Sequence, residues 1–137
     1  MRLFFDSSAF AKRFFEESGS DGVESLCLRA SELGLSVLCV PEVISAMNRR
    51  VREGNLPQRQ YAVVKRRLAE DVHDADIVQF TTGVVARSVR FLERNPLRAI
   101  DALHLACAAE WGADLLATSD IRQFNAALAE GLRAVLV

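Results

Sequence analysis

The chain has 137 residues, half of them apolar and 26% charged, a size and balance that suit one soluble globular domain with its own core. No apolar run reaches the ~18 residues of a membrane span, and the opening Met1-Arg2-Leu3-Phe4-Phe5-Asp6 lacks the successive regions of a secretory signal, so the cytoplasm is the expected compartment. A formal net charge of −1 speaks against nucleic-acid binding by bulk electrostatics.

In chain order, Leu3-Phe4-Phe5 is a short apolar run of the kind that forms a fully buried strand. Asp6-Ser7-Ser8 then offers caps for a helix opening near Ala9. Val23, Leu26, Cys27, Ala30 and Leu33 keep helical spacing, which predicts a helix over 21–34 with Gly34 as its stop. A second buried strand is predicted over 35–40. Pro41 is placed as the first residue of a helix striped by Ile44, Met47 and Val51 and ending at Gly54. A helix after Pro57 carries Tyr61, Val64 and Leu68 on one face. Residues 77–80 form the third strand, and Val85, Val89 and Leu92 stripe the next helix. Asn95-Pro96 opens a helix that runs through Trp111 and stops at Gly112. Leu115-Leu116-Ala117 is the fourth strand, 121–130 a helix, and 133–137 the last strand. Wholly apolar strands alternating with helices imply an α/β fold, a parallel sheet covered on both faces. No repeat or linker divides the chain, so residues 1–137 are read as one domain. Cys27, Cys39 and Cys107, odd in number and each in apolar surroundings, read as core thiols.

Ligands of open α/β sheets bind beyond the carboxyl ends of the strands, where strand order reverses. That rule selects acids by position alone. Asp6 closes the first strand, Glu42 follows the second and Asp120 follows the fourth, while Asp101 stands in the first turn of the helix feeding the fourth strand. Four gathered carboxylates raise one another's pKa, and a hard divalent cation such as Mg²⁺ or Mn²⁺ removes the conflict through oxygen ligation. Such an ion activates water against a phosphodiester. One ion changes the formal charge from −1 to +1, and two change it to +3, so a nucleic-acid substrate stays open. Each acid also has a local reading. Asp6 and Asp120 suit helix caps, Glu42 complements a helix dipole, and Asp101 pairs with Arg98. His104, near Asp101, reads as a satisfied histidine rather than a ligand.

The motifs make a resemblance specific. Phe5-Asp6-Ser7-Ser8-Ala9 resembles the opening D-[ST]-S-A motif of PIN-domain nucleases, and Pro41-Glu42-Val43-Ile44 resembles their second, an acid before an apolar helix. Asp101-Ala102-Leu103-His104-Leu105-Ala106 is similar to the third, and Thr118-Ser119-Asp120 with Phe124 to the fourth. Size and motif style are closest to the VapC-like toxins of VapBC toxin–antitoxin pairs. The resemblance implies a three-layer sandwich around a five-stranded parallel sheet, Mg²⁺- or Mn²⁺-dependent cleavage of RNA, a homodimer and a cognate antitoxin. It also implies that Asp6, Glu42, Asp101 and Asp120 are the catalytic and metal-binding acids, with Ser8 supporting them through its hydroxyl. Ile121, Arg122 and Gln123 stand where some members carry a further acid. Lys12, Arg13, Arg49 and Arg50 are candidates for gripping the RNA backbone. Two alternatives accompany this reading: a non-catalytic PIN-fold binding module, and a metal-dependent phosphatase on a related α/β fold. The second lacks an Asp two residues after Asp6, where Ser8 stands.

Overall fold

A computed structural model describes all 137 residues. Five strands, β1 (Arg2–Phe5), β2 (Glu32–Ser36), β3 (Asp76–Val78), β4 (Leu115–Thr118) and β5 (Ala134–Leu136), form one sheet in the order β3-β2-β1-β4-β5. Every pairing is parallel. Seven helices connect them: α1 (Ser7–Phe10), α2 (Ser20–Arg29), α3 (Cys39–Arg52), α4 (Gln58–His73), α5 (Thr82–Arg94), α6 (Ala99–Trp111) and α7 (Ile121–Ala129). A 3-10 turn over Ala11–Arg13 extends α1.

Side chains of a strand point alternately to its two faces, and β1 shows what that does here. Leu3 and Phe5 enter one apolar layer with Phe10, Val23, Leu35, Val43 and Met47. Phe4 enters the other with Val84, Phe91, Leu105 and Leu116. The sheet is thus buried on both sides, and its parallel strands are apolar throughout because neither face meets water. Chain order runs from β1 outward to β2 and β3, then returns to β4 and β5 on the other side. The reversal therefore falls between β1 and β4, whose carboxyl ends lead directly into Asp6 and Asp120.

The elements come in the order the sequence predicts, with several boundaries shifted. The helix predicted over 21–34 ends at Arg29, and the strand predicted over 35–40 runs over Glu32–Ser36. Helical spacing continues into Leu33 although that residue already pairs with Leu3 in the sheet. The apolar run that follows turns at Val37-Leu38 and enters α3 at Cys39. Pro41 is the third residue of that helix, not the first; its missing N–H costs nothing there because first-turn N–H groups have no intrahelical partner. The third strand likewise begins at Asp76 and the helix after Pro96 at Ala99. Cys39 and Cys107 are buried, and burial pushes both thiols up to about 12. Cys27 corrects the expectation, being only partly buried beside Arg13.

Gly34 is no helix stop. It lies inside β2, where a Cβ would stand 2.8–2.9 Å from the Trp111 ring. Gly34→Ala is therefore expected to cost about 1–3 kcal/mol, the usual range for overpacking, read as a lower urea midpoint with an unchanged slope. An unaltered midpoint would mean that the indole gives way freely.

Candidate functional site

Each of the four acids is delivered to the carboxyl edge of the sheet by a different segment. Asp6 is the N-cap of α1, in extended backbone, and its Oδ1 accepts from the Ala9 N–H and the Ser8 hydroxyl, both at 2.8 Å. Its Oδ2 accepts from the Thr118 hydroxyl at the end of β4, at 2.5 Å. Asp6 is 3% exposed, and burial pushes its carboxyl above the ordinary value even though Thr118, Ala9 and Ser8 pull the other way.

Glu42 stands in the first turn of α3. Its Oε1 accepts from the Ser7 hydroxyl at 2.7 Å and meets His104 Nε2 at 2.5 Å. Burial would raise this carboxyl, but the hydrogen bonds from His104 and Ser7 outweigh it and hold Glu42 below its ordinary value. His104 is 2% exposed, one turn along α6 from Asp101. Its Nδ1 meets the Ser36 hydroxyl at 2.9 Å, and Ser36 Oγ in turn accepts from the Leu38 N–H. In the neutral ring, Nε2–H donates to Glu42 and Nδ1 accepts from Ser36. The end of β2 thus fixes the ring, and the ring fixes the glutamate.

Asp101, buried in the first turn of α6, accepts from Arg98 Nε at 3.1 Å through Oδ2. Its backbone carbonyl accepts from Gln123 Nε2. Gln123, buried on α7, also lies 3.4 Å from the Thr118 hydroxyl, so one amide ties α6 to the Thr118–Asp6 pair. Asp120 caps α7 through Oδ1, which accepts from the N–H groups of Arg122 and Gln123. The local roles and the shared edge are compatible. At Asp101 and Asp120 the capping or pairing oxygen leaves the carboxylate's second oxygen free, whereas both oxygens of Asp6 have protein donors.

Beside Arg122, which lies 3.8 Å from Asp120 Oδ1, Arg98 supplies positive charge at this edge. Its guanidinium is raised above the ordinary value by the hydrogen bond and charge of Asp101, and then by Asp120 and Glu42. Three of the four acids therefore act on one cation tethered at the N-terminus of α6. No three His, Cys, Asp or Glu side chains are arranged around a common ion position. The donor set still suits a hard divalent ion. It consists of carboxylate oxygens, and Glu42, Asp101 and Asp120 each keep one oxygen that accepts from no protein group. Ser8 lies with them, donating to Asp6 and accepting from the Ser119 N–H.

The predicted basic residues divide. Lys12 Nζ donates to the carbonyls of Ser18 and Val137, and Arg13 pairs with Asp71 and Glu24 away from the acids. Arg50 pairs with Glu17 and stacks 4.0 Å over Phe15. These three are committed to the protein's own structure. Only Arg49 opens toward the acids, lining a groove with Glu42. Sequence reasoning gave His104 no role toward Glu42 and did not single out Ser7 or Ser36. The three-residue step from Asp101 to His104, which puts both on one helical face, was the available signal.

Residues 3–128 match the PIN domain family. The chain is 29% identical over 133 residues to the ribonucleases VapC45 and VapC49 of Mycobacterium tuberculosis, spanning 96% of this chain and 92% of each relative. Among solved structures it is similar in fold to Mycobacterium tuberculosis VapC20, a sarcin-ricin loop cleaving toxin, with a TM-score of 0.72 and 16% identity over 98% of this chain and 99% of that one. It is likewise similar to DNA-bound VapBC from Salmonella typhimurium, with a TM-score of 0.69 and 15% identity over 98% and 97% of the two chains.

Proposed function

The chain belongs to the PIN domain family, and from that premise we propose that it is a metal-dependent endoribonuclease, the toxin of a toxin–antitoxin pair. The observation that carries the reading is the gathering of Asp6, Glu42, Asp101 and Asp120 at the carboxyl edge of the sheet, beside the β1/β4 reversal. Relatives that share nearly the whole chain are named ribonucleases, and PIN-domain nucleases in general depend on a divalent metal.

In this reading the four acids are both the catalytic residues and the ligands, and the ion is Mg²⁺ or Mn²⁺. Bound there, such an ion lowers the pKa of a water and neutralises charge on a phosphoryl oxygen. The protein's own part is orientation and charge. Three donors fix Asp6, so its carboxylate has one position and little freedom to lose. His104 and Ser7 keep Glu42 ionised at neutral pH. Arg98 balances Asp101 until other positive charge arrives. The reaction is attack of water on phosphorus with departure of the 3′-oxygen.

The partners in this proposal are an RNA substrate, a cognate antitoxin and a second copy of the chain; solved relatives include VapBC complexes. Val85, Val89 and Leu92 form an exposed apolar stripe on α5 that suits self-association. No helix is long and apolar enough to cross a membrane, and the cytoplasm is the proposed compartment. The test is incubation of the purified protein with total cellular RNA. Discrete fragments are expected with Mn²⁺ or Mg²⁺ and none with a chelator. RNA left intact with both ions, or cut equally well in chelator, overturns the proposal.

A further inference from the structure

A groove of about 470 Å³ leaves the acid edge along α3, lined by Glu42, Ser45, Ala46, Arg49, Arg52 and Ile100. Its lining follows from helical spacing. Residues at 42, 45, 46, 49 and 52 share one face of α3, so the groove starts at an acid and ends at two arginines. Glu42 and Arg52 are ten residues apart, about 15 Å at the rise of an α-helix. Arg49 and Arg52 are exposed and make no ion pair, unlike Arg50 on the same helix and Arg98 at the acid edge. Ser45 and Ala46 are small and leave room for a chain to lie close. Ile100, 43% exposed beside Asp101, forms the opposite wall.

We propose that this groove is the track for a single-stranded RNA segment next to the cleavage point, with Arg49 and Arg52 each holding a flanking phosphate and Ile100 against a base or ribose. The proposal rests on the ribonuclease reading above and adds the path of the substrate. Negative charge is confined to the end where the phosphate is cut, and free positive charge to the end where the strand only has to be held. Near-neutral net charge is consistent with this, because the grip is local.

The test uses the Asp101→Asn protein, which is expected to hold RNA without cutting it, and a labelled single-stranded oligoribonucleotide bound across a salt series. Arg49→Gln with Arg52→Gln is expected to weaken binding about tenfold or more at low salt. It should also flatten the log–log salt slope by about 1.4, the loss expected for two phosphate contacts to a single strand at ~0.7 each. Arg50→Gln should leave the slope alone, and the melting temperature of the double variant should match its parent. An unchanged slope in a protein whose wild-type form cuts RNA overturns the track while leaving the nuclease, even if the variant loses its antitoxin. A wild type that cuts no RNA overturns both readings together.

Discussion

Asp101→Asn is expected to lower the rate of RNA cleavage on the order of 10²–10³-fold or more, the scale reached when one preorganised electrostatic group is removed from an active site, with the fold intact. The fold should survive for two reasons visible in the site. The buried tie from Gln123 goes to the Asp101 backbone carbonyl, which the substitution keeps. The ion pair that is lost joins buried Asp101 to Arg98, whose side chain is 71% exposed and turns to water, so no charge is left buried and unpaired. Chemistry and stability should therefore separate cleanly at this position. Single-turnover cleavage and a urea melt of the same preparation measure both. Full cleavage by the variant would remove Asp101 from the catalytic set.

Asp6→Asn should have the opposite sign on stability while also stopping cleavage. Burial raises the Asp6 carboxyl above its ordinary value, so the folded state holds that proton more tightly than the unfolded chain does. Linkage then gives stability that is present below the ordinary value of ~3.9 and is lost as pH climbs through the folded one. Once ionised, the buried Asp6 is a net cost to the fold. Asn removes the charge and keeps the shape. In the place of Oδ2 its amide donates to Thr118 Oγ1, and the Thr118 hydroxyl turns to Gln123 Oε1, now 3.4 Å away. Without metal, the variant should melt a few degrees above wild type at pH 7.5, since about 1 kcal/mol moves the midpoint of a domain this size by ~3–6 °C. The gap should close as pH falls toward 4. Mn²⁺ should raise the wild-type midpoint and leave the variant's where it was. A variant that melts below wild type at pH 7.5 would show that the charge at Asp6 is not the burden its burial implies.

Position along the chain made the acids legible before any contact was known. A strand-end Asp at 6, an acid behind Pro41, and Asp120 after a short apolar run need only the rule that parallel sheets bind ligands at their carboxyl edge. The strands β1 and β4 were legible for the same reason that they are buried, namely continuous apolar runs. β2 was not, because a helical stripe and an apolar run overlap between Ala30 and Val40, and periodicity cannot tell a strand from a buried helix start there. The Gly34–Trp111 packing that places Gly34 in the strand joins residues far apart in sequence. The polar frame was hidden likewise. Ser36 and His104 are 68 residues apart, and Glu42 and His104 are 62 apart, so no local pattern announces them. Lys12 and Arg13 show the converse failure. Their charges invited an RNA role, and only the tertiary structure shows that Val137, Asp71 and Glu24 already take them up.

The hydrogen bond between Thr118 and Asp6 spans 112 residues, and with Asp120 it puts half of the acid edge at the opposite end of the chain from the other half. Domains form on the ribosome from the N-terminus onward, at roughly 5–20 residues per second. β1 and α3 are thus made seconds before β4 arrives to order them. Until it does, Asp6 lacks its Thr118 partner and Asp120 does not exist. The acid edge is therefore a property of the folded domain, complete only once β4 has docked beside β1.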